Sequence, residues 1–424
     1  MRIYFAGIGG VGIGPLAAIA KEAGHDVAGY DRSVTSITEE LQRKGIDVAI
    51  GSGLNEITAA QRTQPIDWLV ATAALPPDDP VLNFARDRHI RISKRDELIN
   101  QLVKDKRLHL IAISGTHGKT TTTAMLAWLY KQFDIPESHS IGTRVSFAPS
   151  GTFSNEGQYF IYEADEYDRN MLHFHPAVAL ITALDYDHPD TYPTRQDYKQ
   201  AFRQFIAQSD QVYLWQKDLG YLGLKPDKKI IVTDNLLSQE NTIKLPGIHN
   251  RRNALLACAV FDALFPEITF GQIAAAINRF PGTQRRFERL AEGLYSDYAH
   301  HPAEIAATLQ MASELSHRIV VVYQPHQNVR QHEIAGSYGD CFGRAKHVYW
   351  LPTYLSREDP QLPVLTSKQL IAKLHSPKVA EPMEMDDKLV HTIHRELNQG
   401  ALVLVMGAGD VDKWLRQHLH EIVN

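Results

Sequence analysis

The sequence predicts an α/β protein made of three successive blocks, and three observations carry that reading. Short apolar runs alternate with helical patterns along the whole chain, the rhythm of parallel sheets with helical crossovers. Two of these runs end directly in glycine-rich turns, Gly7-x-Gly9-Gly10-x-Gly12-x-Gly14 and Ser114-Gly115-Thr116-His117-Gly118-Lys119-Thr120. At 424 residues the chain exceeds one ordinary core, and about three domains of ~100–200 residues is the natural division.

The first block opens with the apolar strand Ile3–Ile8, the glycine cluster and a helix through Ala23. Short strands are expected at Val27–Asp31, Val48–Ile50, Trp68–Ala73 and Ile90–Ser93. Gly7-x-Gly9-x-x-Gly12 after a strand, with Asp31 closing the next one, fits the dinucleotide fingerprint. Any nucleotide diphosphate can use such a turn, and tight packing without a ligand can too. A hydride-transfer enzyme would leave the second glycine loop without a purpose. This block is therefore expected to bind a diphosphate-bearing substrate. The charged stretch Lys104-Asp105-Lys106-Arg107 links it to the next block.

The second block starts at the strand Leu108–Ile113 and the loop Ser114–Thr120. Its glycines let backbone N–H groups face an anion, and Lys119 offers a charge to the β- and γ-phosphates. Thr120 can place a hydroxyl on Mg²⁺, and a helix opening at Thr121-Thr122-Thr123 adds its positive end. The spacing Gly-x-x-Gly-Lys-Thr is shorter than the usual phosphate loop, and a plain strand–turn–helix with a solvated lysine is the bland alternative. ATP is the expected ligand. Further strands are expected at Tyr159–Tyr162, Val178–Thr182, Gln211–Leu214 and Ile230–Val232, with helices at Tyr198–Ala207 and Asn250–Leu264. Glu163-Ala164-Asp165-Glu166 ends the first of these strands, where an acid can hold Mg²⁺ or form a solvated turn. His188, in Asp187-His188-Pro189-Asp190, can ligate a second metal as a neutral imidazole or serve structure alone. In His249-Asn250-x-x-Asn253 the amides can read a purine edge or cap the helix.

Pro281-Gly282 marks the approach to the third block, with strands expected at Leu294–Tyr298, Ile319–Tyr323, Val348–Leu351 and Ala401–Met406. Arg285-Arg286 can clamp phosphates or be solvated. In Asp297-Tyr298-Ala299-His300-His301-Pro302 the paired histidines lack a third ligand at zinc-like spacing, so catalytic positioning is the better reading. Gln324-Pro325-His326-Gln327-Asn328-Val329-Arg330 ends the next strand, with Arg330 a carboxylate anchor or a surface arginine.

Composition narrows the class. Hydrophobic residues at 44% and charged residues at 22% are those of a soluble globular protein. A net charge of −5 argues against general nucleic-acid binding and offers no basic tail for a membrane surface. The two cysteines, Cys258 and Cys341, have no metal or redox spacing, and Cys258 sits in an apolar run as a core thiol. The apolar start through Ala20 carries glycines that suit a strand–turn–helix better than a secretory signal. A cytoplasmic protein without membrane insertion is expected.

With these residues in place, the chain resembles the Mur ligase family of peptidoglycan synthesis over essentially its whole length. The signatures Gly115–Thr120, Glu163, His188, His249-Asn250-x-x-Asn253 and Asp297–Pro302 occur in the family's order, and the shortened phosphate loop is normal there. Gly9-Gly10-x-Gly12, His117, Gln324-Pro325-His326 and Tyr354-x-x-Arg357-Glu358 resemble the alanine-adding branch. The branch that recycles murein tripeptide is the alternative, followed by a non-catalytic nucleotide-binding relative. Several later ligases of the pathway carry a carbamylated lysine where this chain has Phe202. The alanine-adding branch usually has an arginine where this chain has Gln327, while Arg330 is retained.

The resemblance implies three domains. Residues 1–106 would form a Rossmann-like domain for the UDP substrate, 107–287 a central P-loop ATPase-like domain, and 288–424 a Rossmann-like domain for the amino acid. It implies ATP-dependent ligation of L-alanine to UDP-N-acetylmuramate through an acyl phosphate, with Mg²⁺ (or Mn²⁺ in its place), by a monomer or weak dimer. Gly115, Thr116, His117, Gly118, Lys119, Thr120, Thr121, His249, Asn250, Asn253, Arg286 and Asp297 would bind ATP. Thr120, Glu163 and His188 would hold metal. Gly9, Gly10, Gly12, Asp31, Arg330 and Arg357 would bind substrate, and Lys119, His188, His301, His326 and Arg330 would serve catalysis.

Overall fold

The computed structural model describes residues 1–72, 74–188, 191–356 and 358–424. Arg357 therefore lies outside the described residues, as do Ala73, Pro189 and Asp190. The chain folds into three sheets. The first takes β1 (Arg2–Ala6), β2 (Asp26–Asp31), β3 (Asp47–Ile50), β4 (Trp68–Ala71) and β5 (Arg91–Ser93) in the order β3-β2-β1-β4-β5. All its pairings are parallel, and β1 is buried along its length. Parallel strands need helical crossovers on both faces, which is why their sequences read as continuous apolar runs.

The second sheet contains β6 (His109–Ser114), β7 (Ser138–Ser140), β8 (Gly151–Thr152), β9 (Tyr159–Glu163), β10 (Val178–Ile181), β11 (Gln211–Leu214) and β12 (Ile230–Val232). Their order is β12-β11-β10-β6-β9-β7-β8. Only the short β7–β8 pair is antiparallel among the described pairings of this sheet. The third sheet joins β13 (Glu288–Ala291), β14 (Leu294–Asp297), β15 (Ile319–Tyr323), β16 (His347–Trp350), β17 (Ala380–Pro382) and β18 (Leu402–Met406) in the order β13-β14-β18-β15-β16-β17. Its β13–β14 pair is an antiparallel hairpin, and the rest is parallel.

The apolar runs named from sequence correspond to strands within a few residues. The missed strands are β7, β8, β13 and β17, each lacking an apolar run: β7 is Ser-His-Ser and β17 ends in Pro382 at a sheet edge, where a missing N–H is tolerated. The helix after the phosphate loop begins at Lys119, two residues before the expected start, so Lys119 and Thr120 lie in its first turn. Cys258 is fully buried, and burial pushes its thiol up.

The described residues form two compact units, Met1–Ile243 with Asn253–Pro281, and Lys244–Arg252 with Gly282–Asn424. Within the first unit the helix Gly14–Glu22, which follows the first glycine loop, packs on β8 of the second sheet. Gly151 makes this possible: a Cβ there would stand 2.4 Å from the carbonyl oxygen of Pro15. At the helix's far end Glu22 accepts a hydrogen bond from the Phe153 amide at 2.8 Å. Both glycine loops thus belong to one packed body.

Candidate functional site

The phosphate loop is set by the turn from β6 into the helix Lys119–Gln132. Gly118 caps that helix in the left-handed region at φ +87, and a Cβ on it would meet the Asn253 amide nitrogen at 2.7 Å. Only glycine fits both demands. Thr116 is held by its hydroxyl, which lies 2.7 Å from the Asp185 carbonyl and 2.6 Å from the buried Tyr198 hydroxyl. The Thr182 hydroxyl donates to the carbonyl of His117. Thr121 follows in the first helical turn, and Thr122 and Thr123 donate back to the carbonyls of Gly118 and Lys119 at 2.9 Å each. These hydrogen bonds tie the loop to the strands and helix around it.

Lys119 donates to the Gly115 carbonyl at 2.8 Å and to the Glu166 carboxylate at 2.6 Å. Burial opposes its charge, but Glu166, Asp165 and Glu163 outweigh it and hold the ammonium above its usual range. Glu166 is buried and also lies 3.4 Å from His188 Nε2. The sequence reading assigned Glu163 and left Glu166 without a role. Nothing in the order of acids within Glu163–Glu166 tells which of them turns toward Lys119. His188 sits at φ +57; burial disfavours its charge, while Glu166 and Asp187 raise its pKa above the usual value.

Thr120 donates its hydroxyl to Glu163 at 3.0 Å. Two oxygens at cis positions of an octahedral Mg²⁺, each about 2.1 Å from the ion, stand about 3 Å apart, so this pair fits one edge of that shell. Among the described residues no three His, Cys, Asp or Glu side chains gather into a metal cage. Phe202 is buried against Tyr198, with ring centroids 5.0 Å apart, so its position is part of the core.

In the first glycine loop Gly10 and Gly7 are joined by a backbone hydrogen bond of 3.1 Å. Asp31, expected to meet a ligand, accepts the Gly9 amide at 2.8 Å through one oxygen and the Ser33 amide at 3.3 Å through the other. Its carboxylate shapes the loop. The Arg95 guanidinium lies beside Gly12, 3.0 Å from where a Cβ would be, and 3.3 Å from Asp165. No sequence signal pointed to Arg95.

The helix Ile248–Leu264 starts in the second unit and continues in the first. Asn250 donates to the Pro246 carbonyl at 3.2 Å and touches Met311 Sδ at 3.3 Å, so its amide is engaged within the second unit, where His249 also lies. Asn253, in the first unit, faces Gly118.

In the second unit Asp297 is fully enclosed. It accepts the amides of Phe287 at 2.7 Å and Ala299 at 2.8 Å, tying the chain after Arg286 to the end of β14. Burial raises its pKa, opposed by Arg286 and these amides. Arg286 rests over the Tyr298 ring at 4.9 Å. His301 caps the helix Pro302–Ser313, its Nδ1 accepting the Ala303 amide at 3.4 Å. The structure turns its neighbour His300 to Arg330 instead. A proline at the first helical position marks the preceding residue as the cap, and that signal was available in the sequence.

His300 accepts from Arg330 through Nε2 and lies 3.1 Å from the Tyr298 carbonyl through Nδ1, the pattern of a neutral imidazole protonated at Nδ1. Burial lowers its pKa, and Arg330 and Arg286 assist against Glu304. His326 packs 5.9 Å from His300 and stacks on Tyr354 at 5.6 Å. Burial, with His300 and Arg330, lowers it to about 4. The cluster presents one fixed cation and two neutral imidazoles, which suits a carboxylate beside an amine.

Residues 2–107 match the catalytic domain of the Mur ligase family, 113–224 the Mur ligase middle domain, and 285–409 the Mur ligase glutamate ligase domain. A UDP-N-acetylmuramate--L-alanine ligase of Gloeobacter violaceus is 31% identical over 444 residues, covering 97% of this chain and 94% of that protein. The chain belongs to the Mur ligase family. Among solved structures this Mur ligase is similar to a UDP-N-acetylmuramate-alanine ligase of Thermotoga maritima. That match has a TM-score of 0.76 at 25% identity, covering 99% and 98% of the two chains. A murein peptide ligase of Psychrobacter arcticus shares the fold, with a TM-score of 0.70 at 24% identity over 100% and 99% of the chains.

Proposed function

We propose that this Mur ligase joins L-alanine to UDP-N-acetylmuramate with ATP, in the making of peptidoglycan precursors. One observation carries the reading: a hydrogen-bonded phosphate loop with Lys119 and the Thr120–Glu163 pair shares a packed unit with a diphosphate-type glycine loop. Full-length similarity to ligases bearing that name supports the choice of substrates. In this reading residues 1–106 take the UDP substrate, 107–287 take ATP, and 288–424 take the amino acid.

The muramoyl carboxylate oxygen forms a bond to the γ-phosphorus of ATP as the bond to the ADP oxygen breaks. The amino group of L-alanine then attacks the acyl carbon, and phosphate leaves from the tetrahedral intermediate. The reaction gathers anionic oxygens, so the protein contributes mainly cations and placement. Lys119 exchanges its loop carbonyl and Glu166 for phosphate oxygens. Thr120 and Glu163 would hold a Mg²⁺ that neutralises the γ-phosphate, and His188 would hold a second.

Gly115 to Thr121 cradle the phosphates, with Asn253 beside Gly118. Gly9, Gly10 and Gly12 receive the diphosphate, on a loop that Asp31 keeps in shape. Arg330 holds the alanine carboxylate. His326, its pKa lowered by burial and by His300 and Arg330, orients the amino group, whose ammonium proton passes to solvent before the attack. Phosphate release from ATP and Mg²⁺ tests this. It should require UDP-N-acetylmuramate and L-alanine together, and release indifferent to the amino acid would refute the reading.

A further inference from the structure

Tyr354-x-x-Arg357-Glu358 stands out in the sequence, yet no step above uses Glu358. Its carboxylate is fully engaged. One oxygen accepts the amides of Asn328 at 3.0 Å and Ser356 at 2.8 Å, and the other accepts the amide of Val329 at 3.1 Å. Asn328 and Val329 open the helix Asn328–Ile334, whose first amides have no partner within the helix. A carboxylate satisfies them with charge-assisted bonds.

That short helix carries Arg330 and follows directly on His326 and Gln327. Gln327 lies at φ +61, ψ 118, a backbone state that a side-chain-bearing residue keeps only when its surroundings impose it. The same segment supplies further restraints. The Gln327 amide donates to the Tyr354 carbonyl at 2.8 Å, and the Tyr354 amide donates to the Pro325 carbonyl at 2.8 Å. The buried Asn328 side chain accepts the Leu365 amide at 2.9 Å and donates to the Pro363 carbonyl at 3.2 Å. Tyr354, Glu358, Pro363 and Leu365 therefore grip the turn that presents His326 and Arg330, and Glu358 provides the charged contact in that grip.

We propose that Glu358 is the positioning residue of the amino-acid site, holding the Gln327–Arg330 turn so that Arg330 meets the substrate carboxylate. The proposal rests on the reading of Arg330 as that anchor. Glutamine at 358 keeps the volume, but its NH₂ group faces the Val329 N–H, setting donor against donor. In steady-state kinetics Glu358→Gln should raise the KM for L-alanine about tenfold or more, the effect of losing a charge-assisted bond. The KM values for ATP and UDP-N-acetylmuramate should stay within about twofold of wild type.

Glu358→Ala should follow the same pattern more strongly. An unchanged KM for L-alanine in Glu358→Gln, or a loss spread evenly over all three substrates, would overturn the proposal. Arg330→Lys, run in parallel, separates the two levels. If it leaves the KM for L-alanine unchanged, the reading of the site has failed and takes the proposal with it. If it raises that KM while Glu358→Gln does not, the proposal alone has failed.

Discussion

Replacing Lys119 by methionine keeps most of the side-chain stem and removes the charge, leaving the Glu166 carboxylate without its closest partner. The lysine side chain is 13% exposed and that of Glu166 1%, so water does little to replace the lost contact. Breaking a buried pair from one side costs about 3–5 kcal/mol, because a charge stays behind uncompensated. His188 Nε2, 3.4 Å from the same carboxylate, offsets part of this and places the loss near the lower end, about 3 kcal/mol. At about 2–4 °C per kcal/mol for a unit of this size, unfolding of the first unit should fall by roughly 6–12 °C.

The chain has two compact units, so scanning calorimetry, which resolves separate transitions, is the suitable assay. Adding Glu166→Gln to the methionine variant should restore most of the loss, since neither charge then remains. Turnover should vanish in both variants while UDP-N-acetylmuramate still binds. A methionine variant as stable as wild type, or a double variant no better than the single one, would refute the coupling. Loss of UDP-substrate binding would undermine the division of labour between the loops.

Two further outcomes are expected. Gly118→Ala puts an L side chain at φ +87, costing ~1–2 kcal/mol, and presses on Asn253; the KM for ATP should rise more than that for L-alanine, as initial rates will show. Glu314 accepts from Arg251 at 2.9 Å, Gly247 at 3.0 Å and Gln310 at 2.7 Å. Burial opposes ionisation there, but these bonds prevail and hold its pKa at about 2. Its contribution is therefore fully present above about pH 4.5 and is lost as the pH falls toward 2. Urea unfolding across that window should show a shallower decline in Glu314→Gln than in wild type, and parallel curves would contradict the assignment.

The parallel sheets were legible because strands covered on both faces must be apolar throughout, and Ile319–Tyr323 or Val178–Ile181 carry no other pattern. The short strands β7 and β17 were not, since they are held by backbone pairing to a neighbour and show no apolar signature of their own. The phosphate loop was legible because its chemistry depends on local spacing. Which acid pairs with Lys119 and where Asn250 points depend on contacts across tens of residues, whereas the proline after His301 already marked that histidine as the helix cap. Asp31 carries the opposite lesson: a residue at the motif's position serves the loop's own amide.

The choice between alanine addition and murein-tripeptide ligation is tested most directly by product identity. The protein would be given ATP, Mg²⁺ and UDP-N-acetylmuramate with equal amounts of L-alanine and the L-Ala-γ-D-Glu-meso-diaminopimelate tripeptide, and the products read by mass spectrometry. The predicted product is UDP-N-acetylmuramoyl-L-alanine, which would show that Gln327 is compatible with the small amino acid. Predominance of the tripeptide conjugate, or no conjugate at all, would contradict the proposed function.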